Sequence, residues 1–248
     1  MKNNKNKPIL IILSGLFLNI FTIHCQTTNE VSLYNWFDKT VGKVNLDINK
    51  GQIYANSFLT IGNNNLYLID NNFTTGSVSY NGQIYYETKL NYDIYRDILI
   101  LNPSDSESIG ISLNKEKVDA FSIYNQTFVK INDFQYNLSQ FTTGYYEICQ
   151  YENEMILYIK HKKNSQKKIN DDEVYYVFKN DNTFYLDYKK VLFQIKGKSD
   201  LITIFPEQKK RINEFYSMNR DIKSTDPNQF MKNLIKSISS FISNSMIK

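Results

Sequence analysis

The sequence predicts an α+β fold dominated by strands: an antiparallel β meander, as a sandwich or half-barrel, followed by two C-terminal helices. Three observations carry this. Over residues 44–196, short runs of β-branched and aromatic residues alternate with Asn/Asp/Gly clusters. The links between these runs are too short for the helices that parallel crossovers require. Over residues 199–248 the apolar spacing changes from strand-like to helical.

The first 25 residues read as an address. Lys2, Lys5 and Lys7 precede an apolar run, Ile9 to Ile23, broken only by Ser14, Gly15, Asn19 and Thr22. This is the anatomy of a signal peptide, and the run is short for a membrane span, which needs about 20 apolar residues. Cleavage between Cys25 and Gln26 leaves a single exported domain, residues 26–248, in the periplasm or secreted. The alternative keeps Cys25 as the lipidated first residue of an outer-membrane lipoprotein, a route that the bulky His24 disfavours. No later segment is long and apolar enough to span a membrane as a helix.

Composition narrows the function classes. Lys+Arg is 29 against Asp+Glu 25, a formal net charge of +4, and the three leader lysines supply most of the excess. The exported part is therefore nearly neutral and has no electrostatic ground for binding nucleic acid. Of the two cysteines only Cys149 survives cleavage, which excludes an intramolecular disulfide. Strand alternation places Cys149 on one face with Tyr145, Glu147 and Tyr151, where a thiol reads as a small packed residue.

Taken in order, strands are expected near Leu66–Ile69 and across the hairpin Val78–Tyr80/Gln83–Tyr85. Asn81-Gly82 supplies the two positive-φ residues of a type I′ turn there. From that turn Ile84, Tyr86, Thr88 and Leu90 fall on one face, with Gln83, Tyr85, Glu87 and Lys89 on the other. Further strands are expected at Ile94–Leu101, Ile109–Leu113 and Val118–Ile123. The hairpin Tyr145–Tyr151/Met155–Lys160 follows, then Val174–Lys179, Thr183–Tyr188 and Val191–Lys196. Ser199 is expected to cap a short turn through Asp200–Phe205, and Pro206 to open a helix carrying Ile212, Phe215, Tyr216 and Ile222. Asp226-Pro227 opens the last helix, whose apolar arc is Phe230, Met231, Leu234, Ile235, Ile238, Phe241, Ile242 and Met246. Both helices are expected to pack on the apolar sheet face and complete one core.

Several of these segments form a pattern. Gly76-x-Val78-x-Tyr80-Asn-Gly82-Gln-x-Tyr85, then Leu90-x-Tyr92-Asp93, Asp97-x-Leu99-Ile100 and Lys117-Val118-x-x-Phe121, resembles a family of uncharacterised exported β-rich proteins of Bacteroidota. The tail Lys198-x-x-Leu201-x-x-x-Phe205-Pro206-x-x-x-Lys210-x-Ile212 is similar too, so the resemblance runs from about residue 45 to 245. It implies export and the strand-then-helix order, and brings no activity, cofactor or catalytic residue with it.

Chemical motifs are few. His161 is the only histidine after cleavage, and no CxxC, HxH or HExxH spacing exists, so neither a structural zinc site nor a cofactor is expected. Asp47-x-Asn49-x-Gly51 begins like a calcium loop but lacks the later acidic ligands, and reads as a turn. No glycine-rich phosphate cradle is present. His161 sits in a basic run, where Lys160, Lys162, Lys163, Lys167 and Lys168 form a candidate patch for an anionic lipid or polysaccharide. The bland reading of that run is a solvated hairpin tip that blunts aggregation. Asp93/Asp97 and Asp171/Asp172/Glu173 are the carboxylates that sequence proximity offers for catalysis.

The function expected is a non-enzymatic β-rich binding or structural module of the cell envelope, whose partner is an envelope lipid, polysaccharide or protein. The alternatives are a periplasmic lipid or lipoprotein carrier with a cupped sheet, and an envelope glycan-active enzyme using paired carboxylates. Intact-mass analysis of the exported protein checks the processing: the expected species lacks residues 1–25 and begins with Gln26, free or cyclised. A diacylglycerol-modified Cys25 would establish the lipoprotein route instead.

Overall fold

The computed structural model describes residues 26–42, 45–103, 109–132, 142–170 and 173–246. Residues 1–25, read above as an address, and the candidate carboxylates Asp171 and Asp172 lie outside the described residues. The chain falls into two units, residues 1–46 and 47–248. In the first, α1 (Gln26–Val41) leaves Leu33, Trp36 and Phe37 exposed.

The second unit is the α+β body. Its strands are β1 (Gln52–Ile53), β2 (Thr74–Tyr80), β3 (Gln83–Asp93), β4 (Ile98–Asn102), β5 (Ile111–Ser112), β6 (Val118–Ile123) and β7 (Gln126–Ile131). They continue as β8 (Gly144–Tyr151), β9 (Met155–Lys160), β10 (Lys163–Asn170), β11 (Glu173–Asn180), β12 (Thr183–Tyr188) and β13 (Val191–Ile195). Eleven form one open antiparallel sheet in the order β1-β5-β4-β3-β2-β6-β7-β8-β9-β12-β13, while β10 and β11 pair apart as a ribbon. The helices α2 (Lys198–Ile204), α3 (Lys209–Met218), α4 (Arg220–Thr225) and α5 (Pro227–Met246) follow.

The β2–β3 hairpin forms as expected. Asn81 (φ 53°) and Gly82 (φ 77°) make the turn, and Val78, Ser79 and Tyr80 pair with Tyr85, Ile84 and Gln83. The expected faces hold only as far as Tyr86. A bulge lies opposite Gly76–Val78, where Glu87 adopts φ 53°, and the extra residue flips the parity of the strand. Tyr85 and Leu90, expected on opposite faces, are therefore both buried.

Other expectations need correction. Residues 66–69 form no strand, only a bridge from Tyr67 to Asp93. The segment Ile94–Leu101 is a turn followed by β4, because the side chain of Asp93 accepts the backbone N–H groups of Tyr95 and Arg96 and bends the chain there. β7 was not anticipated, since its turn, Tyr124-Asn125, reaches positive φ at both residues without glycine. The meander also breaks three times: β1 pairs with β5 instead of β2, β6 re-enters beside β2 instead of β5, and β11 pairs with β10 instead of β12, which lies against β9.

The C-terminal region holds four helices where two were expected, the link before α5 being helical itself. Gly197, not Ser199, occupies the N-cap of α2, and the Asp200 carboxylate accepts the N–H groups of Lys196 (2.7 Å) and Gly197 (2.9 Å). Pro206 opens a 3-10 turn that leads into α3. Asp226 caps α5 as expected, accepting the Gln229 N–H at 3.0 Å.

The helices cover the β8-β9-β12-β13 end of the sheet. Met155, Leu157, Ile159, Leu186 and Ile195 from the strands meet Leu201, Phe205, Ile212, Phe230, Leu234, Ile235 and Ile238. A second core of edge-to-face aromatics holds Tyr92, Phe121, Phe128 and Tyr145, with Phe121 stacked on Phe128 at 4.7 Å. Phe241 is only partly buried, whereas Ile238 is 2% exposed. Ile238→Ala should therefore cost about 2–5 kcal/mol in chemical denaturation, and Phe241→Ala clearly less.

Candidate functional site

Three carboxylates carry the ionisable chemistry of the body: Glu147 and Asp93 are buried, and Asp97 is partly buried. Glu147 lies on β8 opposite Phe128 and Ile159 and is 2% exposed. It accepts hydrogen bonds from His161 Nε2 at 2.8 Å and from Lys232 Nζ of α5. Burial alone would raise its pKa, but these two bonds outweigh that and hold the carboxyl below its ordinary range. The Cys149 Sγ lies 3.9 Å from Glu147. Burial and the neighbouring carboxylate push its thiol up to about 11, so it stays protonated and unreactive.

Sequence proximity alone sets His161 in a basic run with the bland reading of a solvated hairpin tip. The structure corrects this: His161 is 4% exposed, lies tilted against the Phe128 ring and bonds to Glu147, a partner that comes from the neighbouring strand. On its other side lies a hollow of about 130 Å³, also lined by Gln126, Asn182, Asn228 and Lys232.

Asp97 (φ 60°) bridges three elements. It accepts from the Tyr92 hydroxyl and pairs with Lys115 and, at 2.9 Å, Lys160. Burial opposes its ionisation, but the two ammonium charges and the hydrogen bonds win and lower its pKa. Gly144 makes room for this ion pair, since a Cβ there would displace Lys160 Nζ and Asp97 Oδ2. Asp93, fully buried, accepts from the Tyr54 hydroxyl at 2.9 Å and lies 3.6 Å from Arg96 Nη1. Burial dominates there and raises its pKa despite those bonds. Asp93 and Asp97 thus engage separate cations and hydroxyls. Glu173 is exposed.

The basic run divides in the same way. Lys160 is drawn inward by Asp97, and Lys163 donates to the carbonyls of Asn65 and Tyr67 and to Asn65 Oδ1. Burial lowers the Lys163 pKa to about 8, outweighing the opposing charge of Asp93. Lys162, Lys167 and Lys168 remain exposed. The run is therefore not a hairpin tip but the end of β9 and most of β10, and its five lysines do not all share one exposed surface.

One concavity is not evident from the sequence. A groove of about 720 Å³ runs between the β12–β13 hairpin and α2, lined by Tyr185, Tyr188, Leu192, Phe193, Gln194 and Ile204. Its walls are mainly apolar, and Gln194 Oε1 is buried without a hydrogen-bond partner. Among the described residues, no three His, Cys, Asp or Glu side chains gather in a way that suits a metal ion. None of the described helices is long and apolar enough to cross a membrane.

Because the folded-state pKa of Glu147 is depressed, its contribution to stability is full above its unfolded pKa and is lost as pH falls through the folded value. Glu147→Gln leaves Lys232 without its counter-charge and should cost about 3 kcal/mol at pH 7. The cost should shrink below about pH 4, as the wild-type carboxyl protonates. Urea unfolding of both proteins across pH 3–7 reads this directly.

Compared with known proteins, the chain matches no family model, no curated protein and no solved structure.

Proposed function

We propose that this is a non-enzymatic β-rich binding module of the cell envelope, delivered by export, with the groove at β12–β13 as its binding site. The groove carries the reading. It combines aromatic and aliphatic walls with a few polar groups, and its size falls within the roughly 300–1,000 Å³ typical of ligand sites. Gln194 Oε1 adds a desolvated acceptor that finds no donor among the described residues.

The alternatives draw less support. An acyl carrier needs a cavity in the cupped sheet, and stacked aromatics occupy the core around Tyr92 and Phe121. A glycan-active enzyme needs two facing carboxylates free to exchange protons. Here Glu147, Asp97 and Asp93 each hold cations or hydroxyls of the fold.

Native mass spectrometry of protein purified from its own envelope tests the proposal. The expected result is a retained partner that is lost in Phe193→Asp. Turnover of an envelope glycan that disappears in Asp97→Asn would establish the enzyme reading in its place.

A further inference from the structure

We propose that the outer edge of β13 accepts an extended, acid-flanked segment of a partner polypeptide as an added strand. This rests on the binding-module reading and names the partner class for the same groove. β13 ends the sheet and pairs only with β12. Its turn consists of Lys189 and Lys190, both at positive φ, so Tyr188 and Val191 form the mutually hydrogen-bonded pair that closes a two-residue hairpin. By alternation, the N–H and C=O groups of Val191, Phe193 and Ile195 face β12, and those of Leu192 and Gln194 face outward. Among the described residues, no strand meets that outer side.

The lining of the groove places it along the same edge. Tyr188, Phe193 and Ile204 belong to the helix-covered face, while Tyr185 and Leu192 pack on the opposite face. A groove walled from both faces of a sheet lies beside its edge strand. An occupant that sends alternate side chains to the two sides while bonding through its backbone is itself a strand.

Charge selects among strands. Lys189 and Lys190 precede β13, Lys196 and Lys198 follow it, and all four are exposed. The groove's nearby acid, Asp200, is already engaged by the backbone of Lys196 and Gly197. In an antiparallel pairing of two copies, the start of one β13 meets the end of the other, so lysines face lysines, which is destabilising. The arrangement therefore discourages self-association and edge-to-edge aggregation, and suits a partner strand with acidic residues at both ends.

Two synthetic peptides provide the probe: Glu-Glu-Val-Thr-Val-Thr-Val-Glu-Glu, and the same core flanked by lysines. The acidic peptide should bind the exported protein about tenfold or more tightly than the basic one at low salt, with the gap closing at high salt. Hydrogen exchange monitored by NMR supplies the geometric readout without any substitution. The amides of Leu192 and Gln194 should slow by about tenfold or more with the acidic peptide, while those of Val191 and Phe193 are slow in its absence. Failure of both peptides to bind, equal affinities, or binding that leaves Leu192 and Gln194 unprotected would overturn strand addition. So would a dimer of the protein formed through β13. If any of these occurs while the envelope-purified protein still carries a partner lost in Phe193→Asp, the binding module stands and only strand addition falls.

Discussion

The open sheet curls enough to bury Tyr92, Phe121, Phe128 and Tyr145 against one another, but its β8-β9-β12-β13 end depends on the cover that the C-terminal helices provide. Met155, Leu157, Ile159 and Leu186 project from β9 and β12 onto α5, and Phe230, Leu234, Ile235 and Ile238 return the contact. Each such side chain contributes about 1.5–3 kcal/mol when fully buried. Among the described residues Cys149 is a free thiol, so no disulfide supplements this packing there. Burial is non-directional, however, and would tolerate small rotations of α5. Directed bonds narrow that freedom. Lys232 of α5 reaches Glu147, Tyr151 donates to the Lys232 carbonyl, and Asn153 donates to the Ser239 carbonyl.

A second use of polar groups recurs wherever the chain changes direction. Asp93 holds the turn after β3 through two backbone N–H groups. Asp97 ties that turn to Lys115 and Lys160. Asn64 exchanges two hydrogen bonds with the backbone of Phe178, at 2.7 and 2.9 Å, and so anchors the β10–β11 ribbon. Lys163, fixed by three neutral oxygens, secures the same region from β10. These residues resemble a solvated surface in composition, yet the fold has turned them into staples. Paired buried charges add little net stability over apolar substitutes. Their effect is to select one arrangement of bends, and that arrangement leaves the edge of β13 open.

The locally encoded elements were legible in the sequence. Asn81-Gly82 specifies its own turn through positive φ, and Asp226-Pro227 specifies a helix start through one cap and one missing N–H. The apolar arc of α5 follows from spacing alone, and its members from Phe230 to Ile238 are buried as that arc requires. The Tyr145–Tyr151/Met155–Lys160 hairpin likewise needs only alternation and a polar turn.

What only the tertiary structure decided is which elements meet. Nothing in Val118–Ile123 names β2 as its neighbour, and nothing in Val174–Phe178 distinguishes β10 from β12 as a partner. His161 lies 14 residues from Glu147, and Lys232 lies 85 from it, so sequence proximity assigned the histidine to a basic run and left the carboxylate unremarked. The bulge at Glu87 escaped for a related reason, since its parity shift comes from the pairing of two strands. Turns, caps and apolar periodicity act over a few residues and leave their mark in the local sequence. Pairing order, buried ion partners and the free edge at β13 arise from competition among all the strands and helices for the same apolar faces, and so take shape only when the whole chain packs.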